Sequence, residues 1–194
     1  MFFHASEYFD PAKIIDGGKV RLRLPAMDDF AQWAAVRGAS REFLSPWEPT
    51  WPPDDLTRGA FRYRVKRYHR DMRADASYAF FIFTGSDARL AGGLTLSNVR
   101  RGVAQAASLG YWIGAEFARQ RLMTAAVAAI VPFAFATLKL YRIEAACLPS
   151  NAASLALLRR AGFSKEGYAR NYLKINGRWQ DHVLFAIIAD DLGG

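Results

Sequence analysis

The chain has 194 residues, of which 52% are hydrophobic and 14% aromatic, and its formal net charge is +8 at pH 7. This composition is enough for one domain with a buried core, and it excludes a disordered chain. The single cysteine, Cys147, excludes an intramolecular disulfide framework and is typical of a reducing compartment. Its apolar neighbours predict a buried strand residue rather than a reactive thiol.

We expect one domain over residues 17–192, with residues 1–16 as an N-terminal extension. The start of the chain is apolar but carries no basic leader, and its apolar stretch is short for a secretory signal. The most apolar segment, residues 122–138, is interrupted by Thr124, Pro132 and Thr137. A membrane span needs about 20 strongly apolar residues. The sequence therefore predicts a buried helix there, no membrane partner and a cytoplasmic location.

The first half of the chain predicts one strand and two helices. Residues 19–24 alternate apolar and charged side chains, which indicates a strand, and residues 28–37 have a helical pattern. Four prolines within residues 44–53 exclude a regular element there. Asp54 or Asp55 is expected to cap a second helix, which runs to about residue 73.

The second helix carries a basic stripe. Arg58, Arg62, Lys66 and Arg70 recur every four residues and so share one helical face. Two interpretations stay open: a solvated surface, or a surface that attracts an acidic partner such as a nucleotide cofactor, an acidic protein or ribosomal RNA.

The second half predicts three antiparallel strands, then strands and helices in alternation. Short Gly-containing turns separate the first three strands, Gly162 is suited to end a helix, and Asn176-Gly177 is a hairpin turn. A sheet can open between neighbouring strands that each lead into a helix, and helix N-termini there can bind an anion. The predicted strands are 77–84, 90–99, 104–113, 142–148, 168–175 and 182–188, and the predicted helices are 119–138 and 151–161.

Several short motifs occur in a fixed order over residues 19–190. They are PWEP at 46–49, SNVRRG at 97–102, LGYWIG at 109–114, LM at 122–123, PSNAAS at 149–154, AGF at 161–163, KEGYARNYL at 165–173 and NGRWQDHV at 176–183. In these motifs the chain resembles the GNAT superfamily, and within it the RimJ/RimL group of ribosomal-protein-alanine N-acetyltransferases. The resemblance implies an α+β GNAT fold. Its mixed, mostly antiparallel sheet has about seven strands, with helices on both faces and a splay between the fourth and fifth strands.

The resemblance also implies the activity, which is direct transfer of acetyl from acetyl-CoA to an amine, such as a protein N-terminus. The implied partners are acetyl-CoA and a peptide or protein acceptor, with ribosome association left open, as is the choice between monomer and homodimer. The three histidines lack metal-ligand spacing, so no metal is expected. An alternative is a catalytically impaired binding module that uses its basic surface on a ribosomal or other acidic partner.

The implied acetyl-CoA site combines a strand end, a turn and a short helix. In the family, the pantetheine arm lies in the sheet opening, and backbone amides of the turn bind the pyrophosphate. The family's turn favours glycine at positions 119 and 121, where this chain has arginine. Arg121 could block the phosphate, or it could add a charge-assisted contact to it. The implied residues are Tyr111, Trp112, Ile113, Arg119, Gln120, Arg121, Leu122, Met123, Thr124, Asn151 and Ser154.

The catalytic and acceptor-binding candidates lie elsewhere in the motifs. The resemblance implies that Ser154 protonates the departing thiolate, with no covalent acyl-enzyme at Cys147. Glu48 is the candidate to hold the incoming amine, since some base or water chain must take its proton. The remaining candidates for the acceptor pocket are Trp47, Asn98, Tyr168 and Tyr172.

Overall fold

The structure, a computed structural model, describes residues 14–85 and 87–192. In that part of the chain, the strands are β1 (Ile15–Asp16), β2 (Val20–Arg23), β3 (Tyr78–Thr84), β4 (Leu90–Arg100), β5 (Ala106–Ile113), β6 (Arg142–Cys147), β7 (Ser164–Ile175) and β8 (Arg178–Ile188). The helices are α1 (Phe30–Ala39), α2 (Arg41–Leu44), α3 (Arg58–Arg73), α4 (Leu122–Ala136) and α5 (Ala152–Arg160). The strands form one sheet in the order β1-β2-β3-β4-β5-β6-β8-β7.

Helices cover both faces of the sheet, as predicted. Successive side chains of β3 point to opposite faces. Phe80 packs edge-on against Phe133 of α4, with ring centroids 5.7 Å apart, while Phe81 stacks on Phe61 of α3 at 6.3 Å. All but the last residue of β3 are buried, because α4 lies on one face of the strand and α3 on the other.

The sheet is antiparallel except between β5 and β6, and there the pairing is incomplete. The parallel register runs from Ala106–Arg142 to Ser108–Glu144 and then stops. Beyond it, β5 stays paired with β4 as far as Ile113, while β6 stays paired with β8 as far as Cys147. The strands therefore diverge, and the splay predicted between the fourth and fifth strands, which are β5 and β6 once the unpredicted β1 is counted, is confirmed.

Two predicted helix starts are wrong. Thr57, not Asp54 or Asp55, caps α3, and its hydroxyl oxygen accepts a hydrogen bond from the Ala60 amide at 3.2 Å. The next helix, α4, begins at Leu122 rather than residue 119. Arg119 and Arg121 both have positive φ, which a right-handed helix does not allow.

The other elements lie within a few residues of their predicted bounds. Asn151 caps α5, and Gly162 ends it with φ +87°. The short β1, outside the predicted set of strands, pairs with β2 and makes the sheet eight-stranded. The domain boundary at residue 17 stays a prediction. Within residues 14–85 and 87–192, no helix is both long enough and apolar enough to cross a bilayer.

A substitution at Gly92 of β4 can test how closely the backbones of β4 and β5 approach each other. A Cβ there would lie 2.4 Å from the Trp112 carbonyl oxygen, whereas a Cβ at Gly110 would have no heavy atom within 4 Å. We predict that Gly92→Ala lowers the free energy of unfolding by about 2 kcal/mol, because the backbone of β5 must move. Gly110→Ala is the control, with a change below about 0.5 kcal/mol. Urea denaturation measures both, and equal effects would contradict the contact.

Candidate active site

The N-terminus of α4 presents unpaired amides. The Ala125 amide makes the first helical hydrogen bond, to the Arg121 carbonyl at 3.0 Å. No side chain caps the helix. The N–H groups of Leu122, Met123 and Thr124 therefore have no partner from the helix itself, and the helix dipole adds partial positive charge. This arrangement suits an anion such as a phosphate.

The turn before α4 has the backbone that glycine would provide, although it carries arginine. Arg119 has φ +61° and Arg121 has φ +62°, both in the left-handed region. Both side chains are exposed, and neither forms an ion pair within the described part of the chain. Between them, Gln120 Nε2 donates to the Glu116 carbonyl at 2.7 Å. The turn is thus formed, and it carries two exposed arginines that form no ion pair with the described residues.

The opening between β5 and β6 is bordered by Tyr111, Trp112 and Ile113. These residues lie beyond Ser108, the last residue of β5 that pairs with β6. Across it, the Asn151 Oδ1 atom accepts a hydrogen bond from the Ser154 amide at 3.0 Å. The Ser154 hydroxyl lies 2.5 Å from the Tyr111 hydroxyl and hydrogen-bonds with it. The structure therefore brings together three of the predicted acetyl-CoA residues, Tyr111, Asn151 and Ser154, at this opening.

Burial sets the protonation of two groups at this opening. It raises the pKa of Tyr111 to about 12, and the hydrogen bond with Ser154 offsets part of that effect. Burial also raises the pKa of the Cys147 thiol, again partly offset by Ser154. Cys147 is buried, as predicted. It lies beside Ser154, nearer the candidate site than the sequence indicated, and the raised pKa keeps it a weakly nucleophilic thiol at neutral pH.

A cavity of about 760 Å³ lies on the α3 face of the sheet, over residues 93–95 of β4 and residues 110–112 of β5. Its wall combines aromatic side chains with charges of both signs. The lining residues are Trp33, Arg37, Glu48, Pro49, Thr50, Trp51, Pro52, Asp54, Asp55, Gly59, Ala60, Tyr63, Arg64, Arg67, Tyr68, Gly93, Thr95, Gly110, Tyr111 and Trp112.

Arg37 and Glu48 form a bidentate ion pair in the cavity wall. Two guanidinium nitrogens of Arg37 each donate to a carboxylate oxygen of Glu48 at 2.8 Å, and the Trp51 indole N–H donates to Oε2 at 2.7 Å. The guanidinium carbon lies 4.0 Å from the centre of the Trp51 ring and 4.9 Å from that of Trp112. Since Arg37 is only 6% exposed, this pair holds the proline-rich segment on α1.

Other polar atoms of the cavity wall lack partners. Asp55 Oδ1 pairs with Arg64 at 2.5 Å, but Asp55 Oδ2, Arg64 Nε and Arg37 Nε are buried with no hydrogen bond among the described residues. Buried polar atoms without a partner are rare. One acceptor and two donors in this wall are therefore without a hydrogen bond in the described part of the chain.

The other predicted acceptor residues do not line this cavity. Trp47 lines a smaller one of about 390 Å³, beside Leu148 and Arg178. Asn98 lies at the irregular end of β4 with φ +51°. Tyr168, which donates to Asp181 at 2.7 Å, and Tyr172 are exposed on β7. Their role in acceptor binding stays a prediction.

Sequence reasoning missed Arg37, Trp33 and Trp51 as cavity residues. The one available signal was Glu48, because a carboxylate in a segment rich in proline and tryptophan, once buried, requires a cation beside it. The sequence alone does not say which of the 26 lysines and arginines supplies it. For metals, the described residues contain no group of three or more His, Cys, Asp or Glu side chains that could hold an ion.

Comparison with known proteins agrees with this geometry. Residues 19–164 match the family described as Acetyltransferase (GNAT) domain. The chain belongs to the GNAT acetyltransferases. It is 36% identical over 178 residues to the "Probable N-acetyltransferase YjcK" of Bacillus subtilis, covering 92% of this chain and 98% of that protein.

Two further similarities confirm the RimJ/RimL resemblance of this GNAT acetyltransferase. It is 36% identical over 173 residues to the "[Ribosomal protein uS5]-alanine N-acetyltransferase" of Escherichia coli, covering 88% of this chain and 89% of that protein. The solved structure of Mycobacterium smegmatis RimJ in complex with CoA-disulfide superimposes with a TM-score of 0.86 at 32% identity, covering 94% and 87% of the two chains. The predicted fold and enzyme class are therefore confirmed.

The ion pair in the cavity wall of this acetyltransferase can be tested by its stability. We predict that Arg37→Met lowers the free energy of unfolding by about 3 kcal/mol, because it leaves the Glu48 carboxylate partly buried without its cation. Arg62→Met is the matched control on an exposed position of α3, with a change within about 0.5 kcal/mol. Guanidinium chloride denaturation measures both. A loss below 1 kcal/mol for Arg37→Met would show that Glu48 is solvated instead.

Proposed function

We propose that this GNAT acetyltransferase moves acetyl from acetyl-CoA directly to the α-amine of a protein N-terminus, with a ribosomal protein as the acceptor. The observation that carries the proposal is the incomplete pairing of β5 and β6. It leaves an opening with unpaired amides of α4 on one side and the charged cavity on the other. A cytoplasmic location, ribosome association and the oligomeric state stay predictions.

The residues around the opening fit acetyl-CoA. Backbone groups of Tyr111, Trp112 and Ile113 that face away from β4 are free to bind the amides of a pantetheine arm. The amides of residues 122–124 suit the pyrophosphate, and Arg119 and Arg121 add positive charge. The Mycobacterium smegmatis RimJ structure contains a CoA-disulfide, which supports the same ligand here.

The wall of the cavity fits a peptide N-terminus as the acceptor. An α-amine offers N–H donors for Asp55 Oδ2, and a peptide carbonyl offers an acceptor for Arg37 Nε or Arg64 Nε. The Escherichia coli relative is named for acetylating the alanine of ribosomal protein uS5, which supports a ribosomal acceptor.

Two predicted catalytic residues take different roles in this proposal. In this proposal, Ser154 gives a proton to the departing sulfur, and a backbone N–H of β5 stabilises the oxygen of the tetrahedral intermediate. Glu48 is engaged with Arg37 and Trp51 through both oxygens. One lone-pair position on Oε1 is left, so Glu48 can orient the amine but is poorly placed to take its proton.

The activity test uses calorimetry and N-terminal peptides. We expect acetyl-CoA to bind the purified protein and mass spectrometry to show acetyl on the α-amine of a peptide. An Nα-blocked peptide with a free lysine should stay unmodified. Ser154→Ala should lower kcat about 100-fold, the lower end for general acid catalysis, and leave the Kd for acetyl-CoA within about threefold. Failure of the wild-type protein to bind acetyl-CoA would overturn the proposal.

The turn at residues 119–121, before α4, leads to a separate prediction. Because the backbone at position 121 already has positive φ, Arg121→Gly cannot open the turn further. It removes only a cation beside the phosphates, so the Kd for acetyl-CoA should rise about fivefold, equivalent to about 1 kcal/mol. Arg119→Gly, with almost the same φ, is the matched substitution. A tenfold fall in Kd for Arg121→Gly, measured by calorimetry, would show that the native side chain obstructs the site.

A further inference from the structure

The two halves of the candidate site lie on opposite faces of the sheet. Directly paired residues of antiparallel strands point to the same face, and successive residues alternate between faces. Phe80, which packs against α4, pairs with Leu94, and Leu94 pairs with Tyr111. The Tyr111 side chain therefore meets Ser154 on the α4 face. The large cavity lies on the α3 face, so an amine bound there can reach a thioester beside Ser154 only across the plane of the sheet.

The crossing lies where β5 has no neighbour on the β6 side. β5 pairs with β6 only as far as Ser108, although the strand continues beyond it. Trp112 is aligned through β4 with Phe81, which stacks on α3, so Trp112 and, two positions earlier, Gly110 point to the α3 face from this free edge. The Trp112 ring occupies the space over its own position, with the Arg37 guanidinium carbon 4.9 Å from the ring centre. Gly110 has no side chain, so the cavity reaches the free edge of β5 there.

The packing of the fold does not account for a glycine at position 110. Glycine inside a strand weakens it, and it often marks positive φ, a bulge, or a close approach by another backbone or a ligand. Gly110 does not have positive φ, and its pairing with Thr95 lies within unbroken register from Gly92 to Ser97. A Cβ at Gly92 or Gly114 would lie within 2.5 Å of another atom, whereas a Cβ at Gly110 would meet no heavy atom of the described residues within 4 Å. Of these causes, the approach of a ligand is the one left for Gly110.

We propose that the acceptor amine passes over Gly110 on its way from the cavity to the thioester, so that Gly110 determines how large the acceptor's first residue can be. This role rests on the proposed acetyl transfer. Gly110 and its partner Thr95 line the cavity, and Gly110 is exposed there. The α-carbon of the first residue is bonded to the attacking nitrogen. That carbon and its side chain therefore lie against Gly110 when the amine reaches the edge of β5.

The test combines substitutions at Gly110 with peptides whose first residue is glycine, alanine or valine. Gly110→Ala adds one methyl group above the sheet, and one such group in a pocket changes kcat/KM about tenfold or more. We expect Gly110→Ala to lower kcat/KM about tenfold for the alanine peptide but less than threefold for the glycine peptide, because the smaller acceptor restores the room. Gly110→Val should lower it about 100-fold for all three peptides. The Kd for acetyl-CoA should stay within about threefold in both variants.

Gly167→Ala and Gly167→Val are the matched controls. Gly167 is also a strand glycine without positive φ, it lines neither of the two cavities, and a Cβ there would make an ordinary contact with Leu184 at 3.9 Å. Both control variants should match the wild type with every peptide. Gly110→Ala, whose free energy of unfolding should change little, keeps the test independent of folding.

Three results would each overturn the role of Gly110. They are equal losses for the glycine and alanine peptides in Gly110→Ala, losses in the Gly167 variants that match those at Gly110, and a Kd for acetyl-CoA raised more than threefold in Gly110→Ala. Each leaves acetyl transfer standing if the wild-type protein acetylates peptides. A wild-type protein that does not bind acetyl-CoA would instead remove the function on which this role rests.

Discussion

The short register between β5 and β6 is the constraint on which the site depends. Three residue pairs, ending at Ser108–Glu144, join two halves of a sheet that are otherwise antiparallel. Each strand is then held by its outer neighbour, β5 by β4 and β6 by β8, so the divergence is built into the pairing of the whole sheet. The free backbone edge of β5 and the first turn of α5 meet where these strands separate, and α4 begins a few residues beyond the end of β5.

The two sides of the site are held by different forces. On the α4 side, backbone geometry dominates, and the left-handed conformations of Arg119 and Arg121 are stabilised by the turn despite costing about 1 kcal/mol or more each. On the cavity side, the Arg37–Glu48 pair and its tryptophans fix the proline-rich segment, in which, contrary to the sequence prediction, Ser45–Trp47 form one 3-10 turn. A ligand there meets a preformed polar wall, which favours orientation of an amine over proton abstraction by a carboxylate.

Much of the fold could be predicted from the sequence, because each long element has its own periodicity and end signals. The alternation in β2 and the helix end at Gly162 are local features, and the structure confirms them. The acetyl-CoA residues could be predicted because each of them belongs to a short run of consecutive residues that resembles the family. The cavity could not be predicted, since Arg37 meets Glu48 across eleven positions of chain and Trp112 comes from another strand. The start of α3 was misplaced because Asp54, Asp55 and Thr57 are all good caps, and only the path of the preceding segment selects Thr57.

The most direct test of this account is a crystal structure with CoA bound. We predict that the pantetheine arm lies between β5 and β6 beyond Ser108, with the diphosphate within hydrogen-bonding distance of the amide nitrogens of residues 122–124. A closed gap, with the Arg121 guanidinium over those amides and no density for CoA, would contradict it.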